Sequence, residues 1–158
     1  LNPFTLIFLI LGYSLPILVV RDYAVRHSFG LLGLLALGLA FGIFNEGLGA
    51  KTMILAQDLP INQFDGYGRL GSVNLPWALI ISLYHAVAAV ILPIAIVHAR
   101  YPALKNHPFF SKRTGIALGI ALLLIACASF LSPLRLPGTP DALITLLFLM
   151  LVCVIIAR

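Results

Sequence analysis

The chain has 158 residues, of which 61% are hydrophobic and 9% are charged, and its net charge is +5. Soluble domains carry about 25% charged residues, so this composition excludes a water-soluble fold and predicts a single polytopic membrane domain over residues 1–158. The basic residues lie between apolar stretches, which indicates contact with membrane lipid rather than nucleic acid. The first residue, Leu1, is not a Met, which leaves the native ends of the protein open.

Five apolar stretches are long enough to be membrane helices. A helix needs about 20 apolar residues to cross the hydrocarbon core, and its backbone groups must be satisfied internally there. The stretches lack the alternating pattern of a membrane β-barrel. We therefore predict an all-α integral membrane protein with about five transmembrane helices, at residues 4–20, 29–49, 76–98, 114–132 and 141–157.

The charges between the stretches predict how the bundle is oriented. The loops at residues 21–28 and 99–113, together with Arg158, hold seven Lys and Arg residues, whereas the opposite side holds three. Positive charge is enriched on the cytoplasmic side of membrane proteins. We therefore expect the 21–28 and 99–113 loops to be cytoplasmic and the loop at residues 50–75 to be extracytoplasmic.

The second stretch carries an acidic side chain. Gly38, Gly42 and Glu46 follow one another at steps of four, so they share one helix face. Small residues at this spacing allow a second helix to approach closely, which predicts that Glu46 faces the interior of the bundle. The neighbouring Asn45 is placed to support it with a hydrogen bond.

The third stretch carries a histidine near its middle. Ser82 and His85 lie on one side of the helix, and Pro93 cannot donate a hydrogen bond to Ala89, which predicts a kink just after His85. Ionisable groups inside a membrane are costly and often functional, so Glu46 and His85 are candidate catalytic residues acting as an acid–base pair. If both helices are straight, Glu46 and His85 lie about 10 Å apart along the helix axes. The alternative is that the two residues only fix contacts between helices.

The 50–75 loop is long for a membrane bundle and contains many apolar residues. Long loops in compact domains are often functional, so we predict a structured lid over helices two and three. Lys51 is placed to neutralise Glu46. Oxygen ligands are present at Asp58, Asn62 and Asp65, but their spacing matches no metal-binding loop, and no metal site is predicted.

Two resemblances concern the residues around this site. The segments Asn45-Glu46-Gly-Leu-Gly-Ala-Lys51 and Ile81-Ser-Leu-Tyr-His85 loosely resemble the Glu-Glu-x-x-x-Arg and Phe-x-x-x-His motifs of glutamate-type membrane proteases that process CAAX proteins. They differ in the first residue of each motif and in the position of the basic residue. The order of Glu46, Lys51 and the later Gly-Tyr-Gly also resembles membrane carotenoid hydratases. Both resemblances cover one short stretch and are analogies in motif order.

These observations predict a function with open alternatives. The first is handling of a hydrophobic or amphipathic ligand, such as a lipid or isoprenoid, in a polar pocket between helices two and three; the others are a non-catalytic subunit of a membrane complex and a transporter subunit. Expected partners are membrane lipids, other membrane subunits or a second copy of the chain. The cofactor is left unknown. Haem is not favoured, because the spacing of His85 and His98 suits stacked haems poorly and no other predicted span contains a histidine. The residues predicted to bind the ligand beside Glu46 and His85 are Asn45, Lys51, Ser82 and Tyr84.

Overall fold

A computed structural model describes residues 2–54, 67–132 and 138–158, and the protein is mostly helical (77%). Within these residues the chain forms five helices that correspond in position to the five predicted stretches. Helix α1 consists of the consecutive segments Pro3–Leu9, Ile10–Ser14 and Leu15–Arg26. The others are α2 (Leu31–Gly49), α3 (Leu75–Arg100), α4 (Lys112–Leu131) and α5 (Pro140–Ile156).

Three of these helices, α2, α3 and α4, are long and apolar enough to cross a membrane. Helix α5 is a shorter apolar helix of 17 residues. The outward-facing residues of α4 are largely apolar side chains such as Ile116, Ile120 and Leu124, which are exposed in the isolated chain. Contact with the hydrocarbon core of a bilayer accounts for that exposure, because apolar surface of this extent is unfavourable in water.

The predicted loop at residues 21–28 is wrong. Helix α1 continues to Arg26, so only residues 27–30 connect it to α2. Charged residues after an apolar run are typical of a loop, but Arg21 and Asp22 are buried here and hydrogen-bond each other and the chain at residues 104–110. The 99–113 connection contains a short 3-10 turn at Pro102–Leu104.

The described ends of the 50–75 loop are structured. Two short strands, β1 (Arg69–Leu70) and β2 (Val73–Asn74), pair antiparallel, with Arg69 opposite Asn74. Gly71, in the turn between them, has a φ of +57°, a conformation that side chains rarely adopt. The predicted lid over the bundle falls largely on residues 55–66 and, with Asp58, Asn62 and Asp65, lies outside the described residues.

Helices α2 and α3 pack against each other in antiparallel directions through small residues. A Cβ atom added to Gly38 would lie 2.7 Å from the Cα of Ala86, and one added to Gly42 would lie 2.6 Å from the Cα of Ser82. These distances are too short for a side chain, so only glycine permits the contact. The helix face on which Gly38 and Gly42 lie, predicted from their four-residue spacing, is therefore the face of α2 that contacts α3.

An apolar core joins the end of α2 to the rest of the bundle. Leu48, Met53 and Val73 are fully buried against Phe130 of α4 and Leu146 of α5. The backbone amide of Asn74 donates to the carbonyl of Met53 at 2.9 Å, which fixes strand β2 beside the turn that follows α2. This core holds that turn in a defined position at the end of the bundle, beside Glu46.

Within the described ranges, three helices contain a π-helical segment: Ile10–Ser14 in α1, Ile43–Gly49 in α2 and His85–Ile91 in α3. Each segment ends with a hydrogen bond between residues five apart, for example from the amide of Ala50 to the carbonyl of Asn45. Pro16 and Pro93 have no amide hydrogen to give to the carbonyls of Gly12 and Ala89, which favours the wider turns in α1 and α3. The irregularity predicted at Pro93 thus begins earlier, at His85.

Candidate functional site

Polar side chains from the three π-helical segments meet inside the bundle. The Oε1 atom of Glu46 lies 3.4 Å from Nε2 of His85. The hydroxyl of Tyr13 lies 3.3 Å from the same nitrogen, and the Tyr13 and His85 rings are stacked with centroids 6.0 Å apart. Helices α1, α2 and α3 therefore each contribute one side chain to a single polar cluster, which we call the Tyr13–Glu46–His85 centre.

The second ring nitrogen of His85 determines which hydrogen bonds the first can make. Nδ1 lies 2.9 Å from the carbonyl of Ile81, and a carbonyl only accepts, so Nδ1 must carry a hydrogen. In the neutral ring, Nε2 is then an acceptor for the hydroxyl of Tyr13 or for a protonated Glu46. In the charged ring, Nε2 donates to the Glu46 carboxylate. Nε2 of His85 can therefore act as an acceptor or as a donor toward Tyr13 and Glu46.

The other carboxylate oxygen of Glu46 is held by the turn that follows α2. The hydroxyl of Thr52 lies 2.6 Å from Oε2 of Glu46, and the indole nitrogen of Trp77 donates to the Thr52 hydroxyl at 3.2 Å. Because indole can only donate, the single hydroxyl hydrogen of Thr52 is directed to Glu46. Trp77 is itself fixed at the start of α3, where its amide donates to the side-chain oxygen of Asn74 at 3.0 Å.

The direction of the side chains explains how Glu46 and His85 meet. The register of the α2–α3 contact places Ala78 opposite Glu46, and His85 lies seven residues further along α3, or about 10 Å. Side chains lean toward the N-terminus of their own helix. In antiparallel helices, Glu46 therefore leans inward while His85 leans outward, so the two side chains approach each other along the interface.

The remaining predicted site residues occupy different surroundings. Asn45 donates from Nδ2 to the carbonyl of Gly12 at 3.2 Å, so it holds α1 and not Glu46. Lys51 is 2% exposed and its ammonium lies 5.5 Å from the centre of the Phe130 ring. Ser82 is buried at the contact with Gly42, and its hydroxyl has no hydrogen-bond partner among the described residues. Tyr84 is 63% exposed and touches the edge of the His85 ring.

Lys51 is the second residue after the end of α2 and has a φ of +62°. This left-handed conformation costs a residue with a Cβ atom roughly 1–2 kcal/mol, so the contacts around Lys51 must stabilise it. The ring of Phe130 beside its ammonium is one such contact. Lys51 thus reverses the chain at the point where Thr52 must face Glu46.

The sequence alone did not single out Tyr13, Thr52 or Trp77 as parts of this centre. A usable signal was present in α1, where the polar residue Tyr13 precedes Pro16 by three positions inside an apolar stretch. The participation of Thr52 and Trp77 depends on the fold of the turn and of the hairpin. Among the described residues, no group of three His, Cys, Asp or Glu side chains suits a metal ion.

A second polar cluster lies at the opposite end of the bundle. Arg21 donates from Nη1 to Asp22 at 2.9 Å and to the carbonyl of His107 at 2.7 Å. Asp22 accepts hydrogen bonds from the amides of Phe109 and Phe110 at 2.9 and 2.7 Å. Because all these groups satisfy one another, the cluster ties the connection between α3 and α4 to α1.

Comparison with known proteins identifies the chain at the level of its family. No curated protein and no solved structure matches it. One family model matches over residues 1–158, and its description is an uncharacterized membrane protein family. The chain therefore belongs to this family of membrane proteins.

Proposed function

We propose that this membrane protein handles a hydrophobic or amphipathic ligand, such as a lipid or isoprenoid, whose polar end is received at the Tyr13–Glu46–His85 centre. In this proposal the chain spans the membrane five times, with α1 and α5 crossing beside α2, α3 and α4. The end of the bundle that holds Arg21, Arg26 and the α3–α4 connection is cytoplasmic, because positive charge is enriched on that side.

One observation carries the proposal: the three residues of the centre all lie in π-helical segments. Tyr13 belongs to Ile10–Ser14, Glu46 to Ile43–Gly49 and His85 to His85–Ile91. Single π-helical turns are rare and occur frequently at functional sites. Their meeting at one acid–base pair inside an apolar bundle supports a functional centre over three unrelated packing adjustments.

The chemistry of the centre suits a ligand with a polar group that gives or takes a proton. Glu46 and the Tyr13 hydroxyl lie 3.4 and 3.3 Å from the same Nε2 of His85, so they compete for it. A ligand hydroxyl or carboxyl that replaces Tyr13 at this nitrogen would meet a partner already oriented by Ile81. Glu46 would then act as proton acceptor or donor, and Thr52 would hold its carboxylate in place.

Exposure indicates which residue of the Glu46–His85 pair a ligand would meet first. The side chain of Glu46 retains 14% of its surface and that of His85 only 4%, so Glu46 is met first. The close contact of Gly38 and Gly42 with α3 leaves no space between α2 and α3 further inward. We therefore place the ligand at the α1 side of Glu46, beside Tyr13, rather than between α2 and α3 alone.

The principal alternative is a non-catalytic subunit in which the centre only joins helices. It is supported by the hydrogen bonds themselves, because both nitrogens of His85 and both carboxylate oxygens of Glu46 have partners within the chain. Such satisfied networks also serve to specify a packing arrangement. A transporter subunit is the remaining alternative, since a carboxyl group beside an imidazole inside the bundle could couple to proton movement.

Glu46→Gln separates these functions. The substitution keeps the size of the side chain and one acceptor for Thr52, but an amide cannot give or take a proton as a carboxyl group does. A ligand-handling centre predicts that native mass spectrometry of the protein, extracted gently from its own membrane, loses a defined lipid-sized adduct while the yield of folded protein stays near normal. Loss of folded yield, or stoichiometric partner polypeptides that dissociate in the variant, would favour the subunit.

A matched control is available at the surface. Asp141→Asn removes a carboxylate in the first turn of α5, which accepts a hydrogen bond from the Ser72 hydroxyl. Asp141 does not belong to the Tyr13–Glu46–His85 centre. It should retain the adduct. For the transporter alternative, both variants are reconstituted into liposomes, and a pH-dependent flux that Glu46→Gln uncouples from the proton gradient would replace ligand handling as the proposal.

A further inference from the structure

A cleft of about 570 Å³ lies at the end of the bundle opposite the Tyr13–Glu46–His85 centre. It is bounded by the last turns of α1, the first two turns of α4 and the end of α5. We call it the basic cleft and define it by the residues Val19, Arg26, Lys112, Gly115, Ile120 and Arg158. Its volume is within the range of about 300–1,000 Å³ that is usual for sites that bind small organic molecules.

The charges around the basic cleft are predominantly positive. Arg26, Lys112 and Arg158 are exposed at its rim. The acidic residue of the lining, Asp22, is 2% exposed, and its carboxylate is bonded by Arg21 and by the amides of Phe109 and Phe110. Its negative charge is thereby balanced by a partner outside the cleft, and the rim presents three cations.

The two arginines of the rim are positioned by the chain but retain free donors. One Nη2 group of Arg26 donates to the carbonyl of Phe110, and Nη2 of Arg158 donates to the hydroxyl of Tyr23 at 3.4 Å. A guanidinium has five N–H donors, so each arginine can also donate to a phosphate. These contacts reduce the entropy that the side chains would lose on binding an anion.

The wall of the cleft changes from charged to apolar along α4. Lys112, Ile116 and Ile120 follow at steps of four on one face, so the apolar part extends about 12 Å from the charged end. On the same helix, a Cβ atom added to Gly115 would have nothing within 4 Å, and one added to Gly119 would lie 3.6 Å from a methyl group of Val19. The two glycines therefore leave a furrow at Gly115 rather than a close helix contact.

We propose that the basic cleft binds one anionic diacyl phospholipid. Its phosphate is held by Arg26, Lys112 and Arg158, and one acyl chain lies in the furrow along Gly115 and Ile120. The order of charged rim and apolar wall matches the order of headgroup and acyl chain, and a zwitterionic headgroup would leave the positive charge uncompensated. This site is independent of the proposed function, because none of its defining residues belongs to the Tyr13–Glu46–His85 centre.

The test is lipid binding to the purified full chain in detergent, followed by native mass spectrometry. Three probes are compared: diacyl phosphatidylglycerol, phosphatidylcholine with the same chains, and glycerophosphoglycerol, which is the first headgroup without acyl chains. We expect one phosphatidylglycerol to be retained with at least about tenfold preference over phosphatidylcholine, and no retention of the deacylated headgroup. Equal retention of the deacylated headgroup would identify a free phosphate site and overturn the proposal.

Variants with equal charge changes locate the lipid. Lys112→Gln with Arg158→Gln removes two rim cations, and Arg100→Gln with Arg113→Gln removes two exposed cations that do not line the cleft. The first double variant should lose roughly tenfold in affinity for phosphatidylglycerol, and the second should bind like the original chain. Equal losses in the two would mean attraction by the whole basic surface and would overturn the proposal.

The acyl chain is tested by filling the furrow. Gly115→Leu places a side chain where an added Cβ meets nothing, so the fold should tolerate it. Retention of phosphatidylglycerol should fall at least about tenfold, whereas Gly12→Leu in α1, which also meets nothing within 4 Å, should leave it unchanged. Unchanged retention of phosphatidylglycerol by Gly115→Leu would show that the acyl chain lies elsewhere and would overturn the proposal. If the Gly115→Leu variant does not fold, the two double charge variants test the site instead.

Discussion

The side-chain amide of Asn45 donates to the backbone carbonyl of Gly12 at 3.2 Å, and this bond joins the π-helical segments of α1 and α2. The carbonyl of Gly12 is available because Pro16, four residues later, has no amide hydrogen to give to it. The side chain of Asn45 in α2 thus supplies the hydrogen bond that Pro16 in α1 cannot make. The two bonded residues directly precede Tyr13 and Glu46 in the chain.

Asn45→Ala should lower the free energy of unfolding by about 1–3 kcal/mol, because it leaves the carbonyl of Gly12 without a donor inside the bundle. Pro16→Ala restores an amide hydrogen that can bond to the same carbonyl. In the Pro16→Ala background, Asn45→Ala should therefore cost less, by about 1 kcal/mol. Thermal unfolding of the four proteins in one detergent measures this coupling, and an equal cost in both backgrounds would contradict it.

Thr52→Val should disturb Glu46 and be visible in the fluorescence of Trp77. The chain contains one tryptophan, and its indole nitrogen donates to the Thr52 hydroxyl. Valine has nearly the same shape but no hydroxyl, so the indole loses its acceptor, and Oε2 of Glu46 loses its donor. We expect a blue-shifted emission spectrum and a loss of about 1–3 kcal/mol in stability.

Thr52→Ser is the control for this substitution, because it retains the hydroxyl. Its emission spectrum should coincide with that of the original chain. Glu46→Gln should also leave the emission nearly unchanged, since the indole still has Thr52 as acceptor. A spectrum that shifts equally in Thr52→Ser and Thr52→Val would show that the methyl groups, and not the hydroxyl, determine the surroundings of Trp77.

The sequence predicted the parts of this structure that follow from helical periodicity. The apolar stretches indicated the helices, and the spacing of Gly38 and Gly42 indicated the face that contacts α3. The same spacing made Glu46 and His85 a candidate pair, although a purely axial estimate separated them by about 10 Å. Because each side chain leans toward the N-terminus of its own helix, Glu46 and His85 approach each other along the antiparallel helices and meet despite this axial separation.

The remaining parts depend on contacts between distant segments and carry no periodic signal. Arg21 and Asp22 resembled loop residues because nothing in the sequence shows that the amides of Phe109 and Phe110 return to Asp22. Tyr13 joins His85 only because α1 packs beside α3. The freed carbonyl of Gly12 was readable from Pro16, but its donor, Asn45, was not.

Alanine should destabilise the protein at Gly42 but not at Gly12. Gly42→Ala places a Cβ 2.6 Å from the Cα of Ser82, where the obstacle is backbone, so α2 and α3 must separate. Overpacking of this kind costs about 1–3 kcal/mol, and the separation should also loosen the Glu46–His85 contact. Gly12→Ala meets nothing within 4 Å and should be neutral or stabilising by up to about 1 kcal/mol. Melting temperatures of the two variants measure the difference, and similar losses in both would contradict the close contact at Gly42.

Asp22→Asn should release the connection between α3 and α4 from α1. The buried carboxylate accepts from Arg21 and from the amides of Phe109 and Phe110, and an amide side chain cannot accept from all three. It also leaves Arg21, which is 3% exposed, without its charged partner, and breaking a buried pair costs about 3–5 kcal/mol. Hydrogen exchange of the backbone amides reports this directly, since those of Phe109 and Phe110 should lose protection while those in the middle of α2 should not.

Asp141→Asn removes an exposed carboxylate and is the control, which should leave the amides of Phe109 and Phe110 protected. If Phe109 and Phe110 exchange as fast in the original chain as in Asp22→Asn, their hydrogen bonds to Asp22 do not hold the connection between α3 and α4 in place.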